Sequence, residues 1–234
     1  FISFLFPVIQ MLYWTIIFPK HLIDLNLISL FSNTIILVLF SSFVLISFAF
    51  ISNYGNRLSR SKFLEILNTL SISGYAVPGI ILAVAFITFI SWFDNNIISF
   101  FDIKNIKSIF IGSILGLVLV YFIRFYSLAS NGIKSGYLKI NYSIDESAYL
   151  LGYSKFKTFK NIHIPYLKNS ILLIGILISI EVIKELPITL IMRPFNFETF
   201  ATQAYIYASQ DLLEAAAAPS LFLILIASFF ILIT

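Results

Sequence analysis

Ser143-Ile144-Asp145-Glu146-Ser147-Ala148-Tyr149-Leu150-Leu151-Gly152, followed after nine residues by Ile162-His163-Ile164-Pro165, is a polar island in an oily chain. Ser143 and Glu146 have the spacing of a capping box, and Asp145 and Glu146 fall in the first turn, where the helix dipole favours anions. Leu150 and Leu151 add an apolar side, and Gly152 is placed to end the helix in a left-handed turn. Ser154 is positioned to cap a second short helix running through Lys160, with Pro165 marking the start of the next apolar run. The stretch reads as a helix–glycine–helix knob in water beside a membrane. Local physics leaves a plain solvated connector equally open.

The rest of the chain supplies the membrane. Its 234 residues are 59% hydrophobic and 11% charged, with mean hydropathy +0.98, against about 25% charged in ordinary soluble domains. The net charge is +4, but in such a chain the placement of charge matters more than its sum, and no nucleic-acid partner is implied. There is no cysteine, so disulfides, thiolate metal sites and thiol catalysis are excluded. The chain opens inside an apolar run with no initiator Met, basic leader or cleavage site, and reads as a fragment of a longer polypeptide.

Six apolar segments, roughly 1–18, 28–51, 72–93, 108–129, 169–192 and 217–234, approach the ~20 residues a helix needs to cross a bilayer. Alternating ten-mers of a β-barrel are absent. The predicted fold is all-α: a polytopic membrane protein of about six transmembrane helices, with 1–234 as a single domain. The connections after spans two and four hold Arg57, Arg60, Lys62, Arg124, Lys134, Lys139, Lys155, Lys157, Lys160 and Lys168. Those after spans one, three and five hold Lys20, Lys104, Lys107 and Arg193. This asymmetry puts 53–68 and 130–168 in the cytoplasm and 94–107 and 193–216 outside. Tyr13, Trp14 and Trp92 lie near span ends, as interfacial aromatics do. Phe63, Ile66, Leu67 and Leu70, interleaved with Ser61, Lys62, Glu65 and Asn68, read either as an amphipathic surface helix or as the start of span three.

The polar island resembles the cytoplasmic coupling loop of ABC-transporter permeases, whose pattern is Glu-Ala-Ala, three residues, Gly, then about nine residues to Ile-x-x-Pro or Leu-Pro. Glu146, Ala148, Gly152, Ile162 and Pro165 carry the match, and Ser147 stands where the family has its first Ala. The resemblance implies that 130–168 docks on a separate ATP-binding subunit, with Asp145, Glu146, Ala148, Gly152 and Pro165 as coupling-loop residues. No G-x-x-x-x-G-K-[ST] loop is present, so ATP hydrolysis is expected on another chain and this one is not expected to be an enzyme. Gly74-Tyr75-Ala76-Val77-Pro78-Gly79, Glu181–Leu190, Arg193–Thr199 and Tyr205–Ser209 are together similar to the ferric-iron permeases of bacterial inner membranes, specifically their carboxy-terminal six-span half. That resemblance implies a periplasmic binding protein and a second permease half, fused or separate, as partners, and no cofactor. It also places the metal on the binding protein, which disfavours a direct iron site of Tyr205, Tyr207 and Glu198. Permeases for thiamine, polyamines or oxyanions are the alternative. A membrane-embedded enzyme or a channel comes behind them, since no paired catalytic set is visible.

Span five is the candidate pathway. Counted from residue 169, Glu181 falls roughly 18 Å along a helix at ~1.5 Å per residue. Glu181, Lys184 and Glu185 share one side, and each buried charge costs at least ~2.5 kcal/mol at membrane depth. Pro187 is expected to kink the helix. Pore lining and a neutralised structural pair are both open. Arg193, Asn196 and Glu198 are candidates for external docking, or are simply solvated.

Overall fold

The computed structural model describes residues 2–23, 25–59, 62–101 and 108–232, with the side chains of Leu64, Glu65, Leu67, Asn68 and Ile72 excepted. Arg60, Ser61, Lys104 and Lys107 from the charge and helix readings lie outside those residues, as do the side chains of Glu65, Leu67 and Asn68. The described residues form helices joined by short turns, without strands: α1 Ile2–Ile17, α2 Pro19–Ile23, α3 Leu27–Ser59, α4 Lys62–Ile72, α5 Gly79–Phe100, α6 Ile114–Tyr137, α7 Tyr142–Leu150, α8 Lys155–Thr158, α9 Ile164–Lys184, α10 Pro187–Met192, α11 Phe200–Ser209 and α12 Leu213–Leu232. Among the described residues, five stretches are long and apolar enough to cross a membrane: α3, α5, α6, the continuous run Lys155–Lys184, and α12. Helix α1, at 16 residues, spans about 24 Å at ~1.5 Å per residue, short of the ~30 Å hydrocarbon core.

Several boundaries move for identifiable reasons. Of the two readings left open for 61–70, the separate helix is the one observed: α4 ends before a 3-10 turn over Ser73–Ala76. Pro78 takes an extended conformation (φ −55°, ψ 135°) at the cap of α5, which stops α4 from running on. Phe63, Ile66 and Leu70 on α4 are exposed. The expected fourth span starts six residues late, at Ile114, because the preceding turn is claimed by a buried carboxylate. Asp94 accepts hydrogen bonds from the amides of Ile109, Phe110 and Ile111 at 3.1–3.2 Å. The second short helix of the knob does not end at Lys160. It passes through a π turn, Phe159–His163, directly into α9. Pro165 is thus the second residue of α9, and the wide turn before it, closed by the Ile164 amide on the Phe159 carbonyl, relieves the ring's clash with the preceding turn.

The chain divides into two units. One comprises residues 1–40, 78–121 and 179–234. In it α12 packs on α1, α2 and α11, around a core of Leu25, Leu30, Phe200 and Ala218. The run Ala215–Ala218 is fully buried, small side chains letting helices approach closely. The Phe200 amide is held by the Thr34 hydroxyl (3.3 Å). The second unit comprises residues 41–77 and 122–178. In it Gly132 and Gly136, four apart, let α6 close on α9: a Cβ at Gly132 would lie 2.5 Å from Ile174, and one at Gly136 2.8 Å from Leu167. Asn53 on α3 donates to the Ser130 hydroxyl (3.1 Å) of α6. The Arg124 guanidinium donates to the backbone carbonyls of Val77 and Tyr75, and so holds the Gly74–Pro78 segment against α6.

Candidate functional site

The knob is built within the second unit. Helix α7 begins two residues earlier than the expected capping box allows. Asn141, not Ser143, is the N-cap, its side chain accepting from the Ser143 amide. Asparagine is as good an N-cap as serine, so nothing local favours Ser143 over it. Ser147, the departure from the family pattern, is exposed and donates to the Ser143 carbonyl (2.8 Å). Ala148 is buried. The helix ends as expected: Gly152 has φ +79°, with the Gly152 amide bonded to Tyr149 O and the Tyr153 amide to Ala148 O, both 3.0 Å. This pair of bonds is a Schellman motif, which requires the left-handed residue. Ser154 caps α8 through the Lys157 amide.

The two acids of the first turn part company. Glu146 is exposed and makes no ion pair among the described residues. Asp145 is buried and is the centre of a network. Its Oδ2 lies 2.7 Å from both Nε and a terminal nitrogen of Arg57 on α3. Its Oδ1 lies 2.8 Å from Nε2 of His163, a close approach without hydrogen-bond alignment. Arg57 also donates to the Asn141 carbonyl (3.1 Å) and stands over the Tyr142 ring, 4.3 Å from its centroid. Tyr54, one turn earlier on α3, donates to the Lys155 carbonyl (2.6 Å), and its ring meets those of Phe159 and His163. Against this braced base Leu150, Leu151 and Phe156 are 89%, 79% and 72% exposed. Sequence reasoning placed Asp145 and His163 in the loop but missed Arg57 and Tyr54, which lie 88 and 101 positions from their partners Asp145 and Lys155. The available signal was an Arg three residues after a Tyr at the polar end of an apolar helix.

The pathway candidates lie in the other unit. Helix α9 starts at Ile164 rather than near 169, so Glu181 sits about 26 Å along it at ~1.5 Å per residue, in its last turn. Pro187 does not kink a continuous helix. Helix α9 stops at Lys184, and Pro187 opens α10 at its first position, where the missing amide has no cost. Glu181 and Lys184 are paired at 2.7 Å. Glu185 turns to other work: its Oε1 accepts from the Ile188 amide (3.3 Å), capping α10, and lies where a Cβ at Gly79 would be, 2.7 Å away. The glycine motif at the start of α5 and the acidic motif of span five therefore meet. A cavity of about 410 Å³ beside the break is lined by Trp14, Lys184, Leu186, Tyr205 and Ala217, among others. Tyr207 instead packs on the Leu25–Phe200 core.

Arg193 and Glu198 form an ion pair, and Glu198 also accepts from Thr202 (2.8 Å), while its backbone carbonyl accepts from Asn33 (3.0 Å). Asn196 takes φ +59° at the tip of this turn, beside Phe195, which is 93% exposed. Arg193, Asn196 and Glu198 thus belong to an internally bonded turn that presents an aromatic.

No family model matches the chain. It is 21% identical over 222 residues to the Fe(3+)-transport system permease protein FbpB 2 of Haemophilus influenzae, a match covering 94% of this chain and 41% of that protein. The chain thus spans about two-fifths of the length of this curated relative. Among solved structures it is similar to a chain of a bacterial ABC transporter involved in the import of the acidic polysaccharide alginate, with TM-score 0.75, 17% identity, and coverage of 100% of this chain and 88% of that one. A second structure, of the bacterial alginate ABC transporter in complex with an alginate pentasaccharide-bound periplasmic protein, matches with TM-score 0.78, 15% identity, and coverage of 98% and 86%. The chain is all-α and polytopic, with the fold of the matched chains of the alginate ABC transporter structures.

Proposed function

We propose that this chain is the transmembrane permease part of an ATP-driven importer, and that residues 130–168 are its cytoplasmic coupling loop. One observation carries the reading: a short helix ended by a left-handed Gly152, anchored at its base and displaying Leu150, Leu151 and Phe156 outward. Exposed apolar side chains on a rigid polar loop suit insertion into a groove of another protein. In this reading residues 1–234 form one permease domain in the bacterial inner membrane. Its partners are an ATP-binding subunit, a second permease half and a periplasmic binding protein, the last received at the Arg193–Glu198 turn. Solute passes by the broken helix at Glu181, Lys184, Glu185 and Pro187. The substrate is ferric iron, supported by the similarity to the iron permease. Another small solute is the competing outcome.

The test is uptake in vesicles containing the full-length chain with its ATP-binding subunit and binding protein. ATP-dependent accumulation of labelled ferric iron supports the reading. Accumulation of thiamine, a polyamine, an oxyanion or an alginate oligosaccharide in place of iron would keep the transporter and replace the substrate. Uptake indifferent to ATP would reject the importer.

A further inference from the structure

We propose that Asp145 is a positioning residue that delivers movement of the coupling loop to α3, a role that rests on the function proposed above. Every part of the knob meets the last turns of α3. The turn before α7 is held by Arg57 through the carbonyls of Asn141 (3.1 Å) and Tyr137 (3.4 Å). Helix α8 is held by Tyr54 at the Lys155 carbonyl. The π turn is held by ring contacts of Tyr54 with Phe159 and His163, centroids 4.8 and 5.1 Å apart. Tyr54 and Arg57 are three residues apart and share one face. Helix α7 itself has one buried acid, whose Oδ2 is bonded by Arg57 and whose Oδ1 stands 2.8 Å from His163.

The geometry makes a lever. Helix α3 has 33 residues, about 50 Å at ~1.5 Å per residue, longer than the ~30 Å hydrocarbon core. The part that exceeds a bilayer is long enough to include the turns carrying Tyr54 and Arg57. Helix α7 also meets α3 at the Tyr142 ring, which lies under Arg57, and at Tyr149 beside Tyr54, but Asp145 is its buried charged link to that helix. A buried ion pair contributes little net stability, but it fixes one arrangement, and a docked partner that moves α7 must then carry α3 along.

The experiment compares Asp145→Asn, Arg57→Gln and the double variant in the assembled transporter, measuring bound ATP-binding subunit, ATP hydrolysis and solute import together. Each single variant should keep the ATP-binding subunit bound and hydrolysing while import falls about tenfold or more, within the range of coupling free energies. The double variant leaves no buried charge unpaired, so it recovers membrane abundance. It should still import poorly. Import at the normal ratio to ATP hydrolysis in the double variant would overturn the proposal, because the pair would then serve stability alone. Loss of the ATP-binding subunit from Asp145→Asn with normal abundance would overturn it too, showing that Asp145 shapes the docking face. Leu150→Glu separates this from the parent reading. If that variant binds the ATP-binding subunit and imports normally, the loop is not the docking surface, and both fall.

Discussion

The knob at 141–163 and the broken helix at 181–199 are both polar interruptions in apolar sequence, yet they are built differently. In the knob the backbone is finished locally, by Asn141, Gly152 and Ser154, and then tied down by one distant cation, Arg57. In the broken helix each charge closes a short circuit. Glu181 pairs with Lys184, Glu185 caps Ile188, and Arg193 pairs with Glu198. The first arrangement makes a rigid object that can be pushed. The second makes a joint whose charged groups find partners within about a turn of where they arise, which suits a place where unpaired charge is expensive.

The largest expected effect breaks the knob. A Cβ at Gly152 meets nothing within 4 Å, so crowding plays no part and the whole cost is conformational. Holding a non-glycine residue left-handed costs roughly 1–2 kcal/mol, and a β-branched one tolerates it worst. Gly152→Val should therefore unmake the Schellman turn. ATP-binding-subunit capture and import should fall together by more than about tenfold, at normal membrane abundance. Gly152→Asn, which accepts the left-handed region, should keep most of both. Equal loss in the two variants would mean that position 152 matters for something other than its backbone.

A smaller effect sharpens the joint. Alanine at Gly79 would place its Cβ 2.7 Å from Glu185 Oε1 and 3.4 Å from Ile188. The carboxylate must move, and the cap it provides on α10 is weakened, at about 1 kcal/mol for a lost cap. For a chain of this size that corresponds to roughly 2–4 °C in Tm, readable by thermal unfolding of the solubilised permease. Unchanged Tm with unchanged import would remove Gly79 and Glu185 from any account of the joint.

The two regions also differ in how far the sequence reveals them. The apolar runs, the turn at Gly152 and the cap at Ser154 are local, and local chemistry suffices to read them. The Glu181–Lys184 pair is likewise a matter of helical spacing. Contacts made across the fold leave no such trace. Asp145 with Arg57, Asp94 on the amides of 109–111, and Glu185 against Gly79 all depend on which elements become neighbours. Boundaries failed where a tertiary contact overrode the local preference. Asp94 takes the amides that would have begun α6 early, and the π turn ahead of Pro165 lets one helix run from the knob into span five.

The smallest expected effect concerns the Glu181–Lys184 pair, and it decides what surrounds the joint. The side chains are 2.7 Å apart, with Lys184 56% and Glu181 15% exposed. If water reaches them, the pair contributes at most ~1 kcal/mol and Lys184→Ala should be tolerated. If lipid or a dry interface surrounds them, the stranded carboxylate of Lys184→Ala should cost ~2.5 kcal/mol or more and lower membrane abundance. Replacing both, as Glu181→Gln with Lys184→Met, should then restore it. Lys184 lines the cavity beside the helix break with Trp14 and Tyr205, so the expected result is a tolerated single variant and a double variant that assembles normally but imports a few-fold more slowly. Abundance measured beside initial uptake rate distinguishes the cases. Uptake at the parental rate in both variants would leave the joint a piece of architecture, and the path would have to be sought among other side chains.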